Sequence, residues 1–415
     1  MFVSHIEQIK HGGYKVFRRK LFALLDRFFL ILSGVWAIPF VLIIRIFRGV
    51  ILFRIGTLRS DRIGHFASDS GQQFAANSLN STNRTVDLYW LSKYISNKQL
   101  ELMVRRNFLV FNFARYLDFW NLRLPGGEIH MRPSSLTHSR DISGMLEKSN
   151  KRMKFLSFEE NQAKEWMSSF GWKEGDRFVC LLVRDPAYLK KNDIYKASTN
   201  FDYHSYRDSD IDNYIKAMEW LANEGIWVFR MGREMLKPIA TSHPKIIDYA
   251  FSKNQSDLLD IWMFANCDFC ISTGSGPDMV SDIYRKPLLI FNCMPLFNLW
   301  SWSNATHIPK HLKYIDTGIF LTLSEHIKHS YWTSEQYHNA GIEFHELSSI
   351  EILNGVKEFF NKIFKKQEDP SNDDFKKTLW EIILSSDKAP IHHGYIHKDS
   401  CIASSFIKNN PNWLK

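Results

Sequence analysis

Residues 272–278, with the sequence STGSGPD, form the segment whose residue types best suit the binding of a ligand. They follow an apolar run and precede a helix-forming segment, so they are expected at the carboxyl end of a strand, where open α/β sheets bind ligands. Small side chains let a ligand approach the backbone, and the N–H groups and dipole of a helix start attract phosphate. The sequence therefore predicts a phosphate site at Thr273, Gly274, Ser275 and Gly276. The alternative is a tight turn without a ligand.

The spacing within this segment separates it from three common motifs. It has neither the G-x-G-x-x-G pattern of dinucleotide-binding folds nor the Lys and Ser/Thr of the P-loop. It also lacks the G-x-S-x-G spacing of a nucleophile elbow. No Asp-x-Asp pair occurs in the context of a donor-site loop, so no metal site is predicted.

Arginines follow two other apolar runs in this half of the chain. Arg184 comes after residues 177–183 (RFVCLLV), and Arg230 and Gly232 close residues 226–232 (IWVFRMG). The carboxyl ends of parallel strands meet at one edge of a sheet, so these residues are expected beside the STGSGPD segment. Guanidinium groups pair bidentately with phosphate oxygens, which predicts a diphosphate site.

Neighbouring polar residues are open to two interpretations. Tyr188 and Lys190 stand in the loop after Arg184, and Arg233 follows Gly232 as either a ligand or a solvated charge. They remain candidates because the same sheet edge would hold them.

The segment 203–210 (YHSYRDSD) precedes a predicted helix. Tyr206 and Arg207 would reach a cleft from it and contact a substrate. The alternative is a loop with a surface arginine, in which Asp208 or Ser209 caps the helix.

His65 follows Gly64 in the first predicted strand-to-helix turn. A histidine there could deprotonate an acceptor hydroxyl near neutral pH. Asp69 and Asp61 are alternative carboxylate bases, and a structural role for the histidine is the other interpretation.

Cysteines and the remaining histidines indicate no metal. Cys267 and Cys270 stand in an apolar run without a second pair at zinc spacing, which is typical of buried thiols. His392, His393 and His397 have no partner carboxylate at metal-ligand spacing and are predicted to lie on the surface.

The hydrophobic rhythm predicts an α/β fold. The chain has 415 residues, which suits two domains. Its second half alternates strands with helices, which is typical of a parallel, doubly wound sheet. We expect two Rossmann-like domains facing a cleft. The predicted divisions are 1–48 (membrane-associating segment), 49–172 (acceptor-side domain), 173–365 (donor-binding domain) and 366–415 (a tail packing back on the N-terminal domain).

The positive charge is concentrated at one end. Residues 1–62 hold eleven Lys/Arg and three Asp/Glu, whereas the whole chain carries +9. Residues 28–44 have no charge and contain Pro39, and basic residues flank them on both sides. This pattern favours a re-entrant or in-plane anchor at an anionic membrane surface. The alternatives are a buried core helix and a single span. A nucleic-acid-binding surface is not expected.

Four motifs together resemble a bacterial family of glycosyltransferases tied to cell-surface polysaccharide synthesis. They are RIGH at 62–65, YRDSDI at 206–211, VFRMG at 228–232 and STGSGP at 272–277, and the tail IASSFIKNNPNWL is also similar to the family. The resemblance implies a GT-B fold of two Rossmann-like domains and no required metal. It implies that Gly274, Ser275 and Gly276 hold the donor diphosphate with Arg230 assisting, and that Asp278 is a candidate for the ribose.

The sequence thus predicts transfer of a sugar from a nucleotide-sugar substrate, without a cofactor, to a hydroxyl of a lipid-linked or growing glycan. The expected location is the cytoplasmic face of the inner membrane, peripheral or monotopic. Two alternatives are a sugar-nucleotide enzyme of epimerase type, which needs no acceptor, and an inactive scaffold in polysaccharide assembly.

Overall fold

The computed structural model describes residues 2–79, 84–136, 138–187, 205–367 and 369–415. Tyr188, Lys190 and residues 203–204 of the predicted substrate loop lie outside the described residues. The strands are β1 (Leu52–Leu58), β2 (Thr85–Leu91), β3 (Leu109–Val110), β4 (Phe178–Leu182), β5 (Trp227–Arg230), β6 (Ile246–Ile247), β7 (Phe269–Ser272), β8 (Leu288–Cys293), β9 (Ala305–Pro309), β10 (His311–Tyr314), β11 (Ile342–His345) and β12 (Cys401–Ile402).

Helices connect most of these strands. They are α1 (Phe2–Leu32), α2 (Gly34–Ile46), α3 (Ile63–Leu79), α4 (Lys98–Asn107), α5 (Ala114–Asn121), α6 (Met145–Lys148), α7 (Ser157–Ser168), α8 (Ile215–Asn223), α9 (Asp257–Asn266), α10 (Met279–Ile283), α11 (Leu323–Lys328), α12 (Ser334–Asn339), α13 (Ser349–Phe360), α14 (Asn372–Leu384), α15 (Ala389–His392) and α16 (Ser404–Asn409).

The chain divides into two compact units. The first comprises Met1–Arg59, Asn80–Tyr94 and Val104–Ser134, and the second comprises Ser60–Leu79, Ile95–Met103 and Ser135–Lys415. This division differs from the contiguous one expected from the sequence, because α3 belongs to the second unit. The spacing of hydrophobic residues identifies α3 as a helix, but it does not determine which sheet the helix packs against.

The first unit is built on a parallel sheet of β1, β2 and β3, with β2 in the centre. Helix α2 packs against it, since its small residues Ala37 and Val41 are buried with Ile55 and Leu117. The opposite face of α2 is exposed, so α2 is not the buried core helix of the alternative interpretation.

Helices α1 and α2 meet at a break beside Ser33. The Ser33 hydroxyl donates to the carbonyl of Leu30 at 2.6 Å, whereas Pro39 stands inside α2 without ending it. No single helix among the described residues is long and apolar enough to cross a membrane. The stretches Val16–Leu32 and Gly34–Gly49 are bent by 51° relative to each other. Only together do they have the length and apolar composition of a membrane span.

The second unit contains a sheet of seven strands in the order β12-β9-β8-β7-β4-β5-β6, in which every pairing is parallel. Strands β4, β5, β7, β8 and β9 are buried along their whole length. Burial on both faces explains why these strands are continuous apolar runs in the sequence. The predicted parallel α/β fold is confirmed at this level.

Side chains cap the starts of helical segments in the second unit. Ser256 caps α9 by accepting from the N–H of Leu259 at 3.2 Å. Asp210, not Asp208 or Ser209, caps the helical turn at 211–214, where it accepts from the N–H of Asp212. Its position two residues before that N–H decides which side chain reaches the turn.

The C-terminal tail differs from its prediction. Helix α14 begins at Asn372, near the start of the segment 366–415. Strand β12 pairs with β9 and extends the seven-stranded sheet, so the tail belongs to the second unit. The two residues of β12 are too few to produce a pattern visible in the sequence.

Candidate functional site

The second unit contains an open cavity of about 400 Å³. Neighbouring strands build its floor, because the register pairs Leu182 with Ser272 and brings the ends of β4 and β7 side by side. The hydroxyl of Thr273 then accepts from the backbone N–H of Arg184 at 2.9 Å. The cavity therefore lies at the carboxyl edge of the sheet, where ligands bind in open α/β folds.

The predicted phosphate loop lines this cavity through Thr273, Gly274, Ser275 and Gly276. Gly274 has a φ of 72°, a conformation that side chains disfavour. This explains one glycine of the STGSGPD segment by backbone geometry alone.

The N–H groups of this loop are less available to bind an anion than the sequence predicts. The N–H of Gly274 donates to the hydroxyl of Ser272 at 3.1 Å, and that of Ser275 donates to the carboxylate of Asp278 at 2.7 Å. The helix that follows, α10, has only five residues, so its dipole contributes little. An anion would therefore depend mainly on side chains of the cavity.

Asp278 is buried behind the loop and is not part of the lining. Its Oδ2 accepts from the Ser272 hydroxyl at 2.6 Å and from Ser275, while Oδ1 has no hydrogen-bond partner among the described residues. Burial raises the pKa of Asp278 to about 7. The geometry gives Asp278 the role of shaping the loop, and the predicted contact with a ribose is not evident.

Four arginines line the cavity, and no aspartate or glutamate stands among the described lining residues. The arginines are Arg62, Arg140, Arg184 and Arg207. Arg184 and Arg207 were predicted, whereas Arg62 and Arg140 were not singled out as site residues. Such a concentration of positive charge attracts anions.

Arg207 is directed at the loop, where its guanidinium donates to the carbonyl of Gly274. Burial lowers the pKa of Arg207, and the nearby Arg184 adds to this effect. Arg184 itself donates to Asp208 at 3.1 Å. The two arginines thus bring positive charge to one side of the cavity at a cost in desolvation, which an anionic ligand would offset.

The segment that carries Arg207 is anchored by Lys310. The Lys310 Nζ donates to the carbonyls of Tyr206 and Asp208, both at 2.9 Å. Burial lowers the pKa of Lys310. Tyr206 is 3% exposed and stacks on Phe344, so it acts mainly as an anchor although it borders the cavity.

Gly64 brings helix α3 to the loop. A Cβ at this position would lie 2.9 Å from the Cα of Gly276, so only glycine permits the approach. The contact places His65, the next residue, in the lining of the cavity. The structure thus places His65 beside the STGSGPD loop within the second unit, whereas the sequence predicted it on a separate acceptor-side domain.

His65 and Asp69 meet through a third residue. The hydroxyl of Ser139 lies 2.8 Å from Nδ1 of His65 and donates to Oδ1 of Asp69 at 2.8 Å. Asp69 is 1% exposed and does not line the cavity. Ser139 was missed in the sequence, since a serine seventy residues away carries no signal.

A tryptophan-rich wall, formed by Trp300, Trp302 and Trp332, is part of the lining. Trp300 and Trp302 stack with ring centroids 5.9 Å apart. Asn298 accepts from Arg140 through one oxygen, at 2.8 and 2.6 Å. The W-S-W spacing at 300–302 was the available signal, but without the fold it gives no location.

Arg230 and Gly232 are not brought into this cavity. Arg230 is 1% exposed, donates to Asp248 at 3.1 Å and lies outside the lining. Arg233 is bonded to Asp257 and Asp260 on α9. These arginines follow the same sheet edge, but carboxylates engage them.

His392 and His393 are buried, and the prediction that they and His397 lie on the surface is wrong. His393 bonds the Ser301 hydroxyl and the Phe297 carbonyl, both at 3.0 Å, because the tail covers the tryptophan-rich wall. Burial lowers the pKa of His392 and of His393 to about 4. Both are therefore neutral near pH 7.

Metal-ligating residues do not cluster in the described ranges, where no group of three or more His, Cys, Asp or Glu is placed to hold an ion. Asp208 and Asp210, an Asp-x-Asp pair, diverge to Arg184 and Lys237. Cys267 and Cys270 are buried and unbridged, as predicted.

Comparison with protein-family models and with curated proteins gives no match. Among solved structures, the chain is similar to a glycosyl transferase of family 9 from Veillonella parvula, with a TM-score of 0.39 and 10% identity, over 62% of this chain and 86% of that chain. It is also similar to the E. coli ADP-heptose LPS heptosyltransferase II, with a TM-score of 0.32 and 10% identity, over 57% and 84% of the two chains. Likeness at this level assigns neither family nor activity.

Proposed function

We propose that the protein is a glycosyltransferase of GT-B type that uses a nucleotide-sugar donor. The observation that carries this proposal is the lining of the cavity, in which four arginines and the loop 273–276 occur without a carboxylate among the described residues. A nucleoside diphosphate supplies the negative charge that such a lining favours. A volume of about 400 Å³ is in the range of small-molecule sites.

The arginines and the tryptophans of the lining suit two parts of such a donor. Arg184 and Arg207 would bind the diphosphate, whose charge grows as it leaves. Trp300 and Trp332 offer flat apolar surfaces for a ring of the donor or acceptor. A ligand with a charged centre and ring-shaped ends therefore fits the lining better than a simple anion does.

His65 would remove the proton of the acceptor hydroxyl. The hydroxyl oxygen would then form a bond to C1 of the sugar as the bond from C1 to the diphosphate breaks. His65→Ala should lower turnover by about 10²–10⁴-fold and leave binding of the donor intact. Normal turnover in this variant would remove His65 from the mechanism.

The decisive experiment is binding of nucleoside diphosphates and their sugar conjugates to the full chain, measured by thermal shift with and without chelator. We expect one nucleotide to stabilise the protein in both conditions. Arg207→Ala, in the lining, should reduce this shift. Arg233→Ala is its matched control, since Arg233 lies outside the lining and its replacement should leave the shift unchanged. Absence of a shift with every nucleotide would contradict the proposal and favour a scaffold. Conversion of the donor without an acceptor would favour an epimerase.

The N-terminal helices would place this enzyme at an anionic membrane surface, where a lipid-linked or growing glycan is accessible. Helices α1 and α2 expose many large apolar side chains, including Phe28 at 59%, Ile31 at 64% and Val35 at 79%. Lys and Arg flank them on both sides. Apolar burial in the interface combined with attraction to anionic lipid stabilises such an arrangement.

Flotation with lipid vesicles tests this location. The full chain should bind vesicles containing phosphatidylserine more strongly than neutral ones. Ile31→Asp should reduce that binding, whereas Leu236→Asp, at a position of similar exposure in the second unit, should not. An equal loss of vesicle binding in the two variants, or no vesicle binding by the unmodified protein, would contradict the proposed location.

A further inference from the structure

We propose that Ser139 is a positioning residue, which joins His65 to Asp69 so that Nδ1 of His65 keeps its proton and Nε2 acts as the base. The inference rests on the proposed function for its catalytic step. Its structural part, the protonation state of His65, is independent of any substrate.

The hydrogen bonds determine which nitrogen carries the proton. An ionised carboxylate only accepts, so the single proton of the Ser139 hydroxyl is directed to Oδ1 of Asp69 at 2.8 Å. The hydroxyl oxygen must then accept from His65, whose Nδ1 lies 2.8 Å away. A neutral imidazole with its proton on Nδ1 has its lone pair on Nε2.

Helix α3 provides two members of this set from one face. His65 and Asp69 are four residues apart, which places them one above the other on a helix. The Ser139 hydroxyl lies within hydrogen-bond distance of both side chains. The carboxylate thereby reaches the imidazole while remaining buried, at 1% exposure.

Ser139 is held in place by contacts other than those of its hydroxyl. Its N–H donates to the hydroxyl of Ser135 at 2.5 Å, and its carbonyl accepts from Ser68 at 2.9 Å. Its φ is 60°, a conformation that costs free energy in residues other than glycine. A strained serine that is fixed through both its N–H and its carbonyl suits a role in which its hydroxyl must occupy one position.

The relay formed by Asp69, Ser139 and His65 has a definite role in the transfer step. Nε2 of His65 accepts the proton of the acceptor hydroxyl, and the oxygen forms the new bond to C1. The electron pair of the old C1–O bond leaves with the nucleoside diphosphate. The imidazolium that results is stabilised by the negative charge of Asp69 through Ser139, and it returns its proton to solvent after the products leave.

The first test reads the tautomer of His65 in the full chain labelled with ¹⁵N-histidine. The signal is assigned by its loss in His65→Gln. At a pH where His65 is neutral, we expect Nδ1 to be protonated and Nε2 to be unprotonated. Ser139→Gly should move the proton toward Nε2. A proton on Nε2 in the unmodified protein would overturn the proposal, whatever the enzyme's activity.

The second test separates positioning from folding. Ser139→Gly removes the hydroxyl but accepts the φ of 60° and keeps both backbone contacts, so the variant should fold. We expect kcat to fall about 10–10²-fold while KM for the donor stays within about twofold. Ser143→Gly, in the same segment but outside the lining, should behave as the unmodified protein.

The outcomes separate this inference from the proposed function. Unchanged kcat in Ser139→Gly, or a loss of donor binding equal to the loss of kcat, would overturn the positioning role. If the unmodified protein transfers no sugar, the proposed function fails, and the tautomer measurement still decides the relay.

Discussion

Two neighbouring strand ends of the seven-stranded sheet carry similar residues and differ in their use. Leu181 of β4 pairs with Arg230 of β5, so Arg184 and Arg230 follow the same edge of the sheet. Arg184 lines the cavity, whereas Arg230 is buried against Asp248.

The difference lies in the supply of carboxylates. Beyond β5, Asp248, Asp257 and Asp260 engage Arg230 and Arg233. No Asp or Glu stands among the described lining residues of the cavity, although Asp208 bonds Arg184 from outside the lining. Strand-end position alone therefore does not identify a ligand-binding arginine; what matters is whether its side chain reaches the cavity, as that of Arg184 does and that of the buried Arg230 does not.

The largest expected effect belongs to Arg230, at the end of β5 and outside the cavity. Arg230→Ala leaves Asp248 without its buried partner and should lower the free energy of unfolding by about 3 kcal/mol. Urea denaturation measures this change. The folded variant should bind the nucleotide with unchanged Kd. Loss of that binding would place Arg230 in the site and contradict the comparison.

The next effect belongs to the cavity. Arg207→Ala should weaken binding of the nucleoside diphosphate by about 10–10²-fold, since a hydrogen bond to a charged group contributes about 1.5–3 kcal/mol. Calorimetric titration measures it. Arg207→Lys keeps the charge but loses the planar fork, so it should recover only part of the affinity. Affinity equal to that of the unmodified protein in Arg207→Ala would refute its role.

Per pH unit, a smaller effect is expected at Asp278, the acid beneath the cavity loop. The pKa of Asp278 is raised from 3.8 to about 7, so the folded chain keeps a proton that the unfolded chain loses over this range. The free energy of unfolding should then fall as pH rises from about 4 to 7, by at most about 1.4 kcal/mol per pH unit. Asp278→Asn keeps both accepted hydrogen bonds and should remove this contribution. Parallel slopes for the two proteins in urea denaturation would speak against it.

The smallest effect is expected at Arg233. Its side chain is 39% exposed, so solvent screens its ion pairs with Asp257 and Asp260. Arg233→Ala should cost about 1 kcal/mol or less of stability and leave nucleotide binding unchanged. A change in Kd measured by titration would show that the site extends past β5.

The elements that the sequence predicts best are those whose pattern lies within one short segment. Buried strands such as β4 and β8 are continuous apolar runs, so their existence and parallel pairing follow from local pattern. The loop after β7 is equally local, and its residues do line the cavity. Strand β12 escaped prediction because its two residues pair only with a distant strand.

The site residues divide in the same way. The sequence offered His65 and Asp69 only as alternative bases, and the structure places both on α3. Ser139 unites them in the structure through contacts across about seventy residues of chain, which no periodicity reveals. His393 was misjudged for the same reason, because its burial depends on the tail covering residues 297–301.

By itself, the sequence determined the parallel α/β character of the chain, the glycine-rich strand end and the concentration of charge at the N-terminus. These depend on residue type and short spacing, which act along the chain. Only the tertiary structure decided which arginines line the cavity, that Asp278 supports the loop from behind, and that a serine connects His65 to Asp69. These depend on which carboxylates and hydroxyls are brought within hydrogen-bond distance, and that is a property of the packed fold.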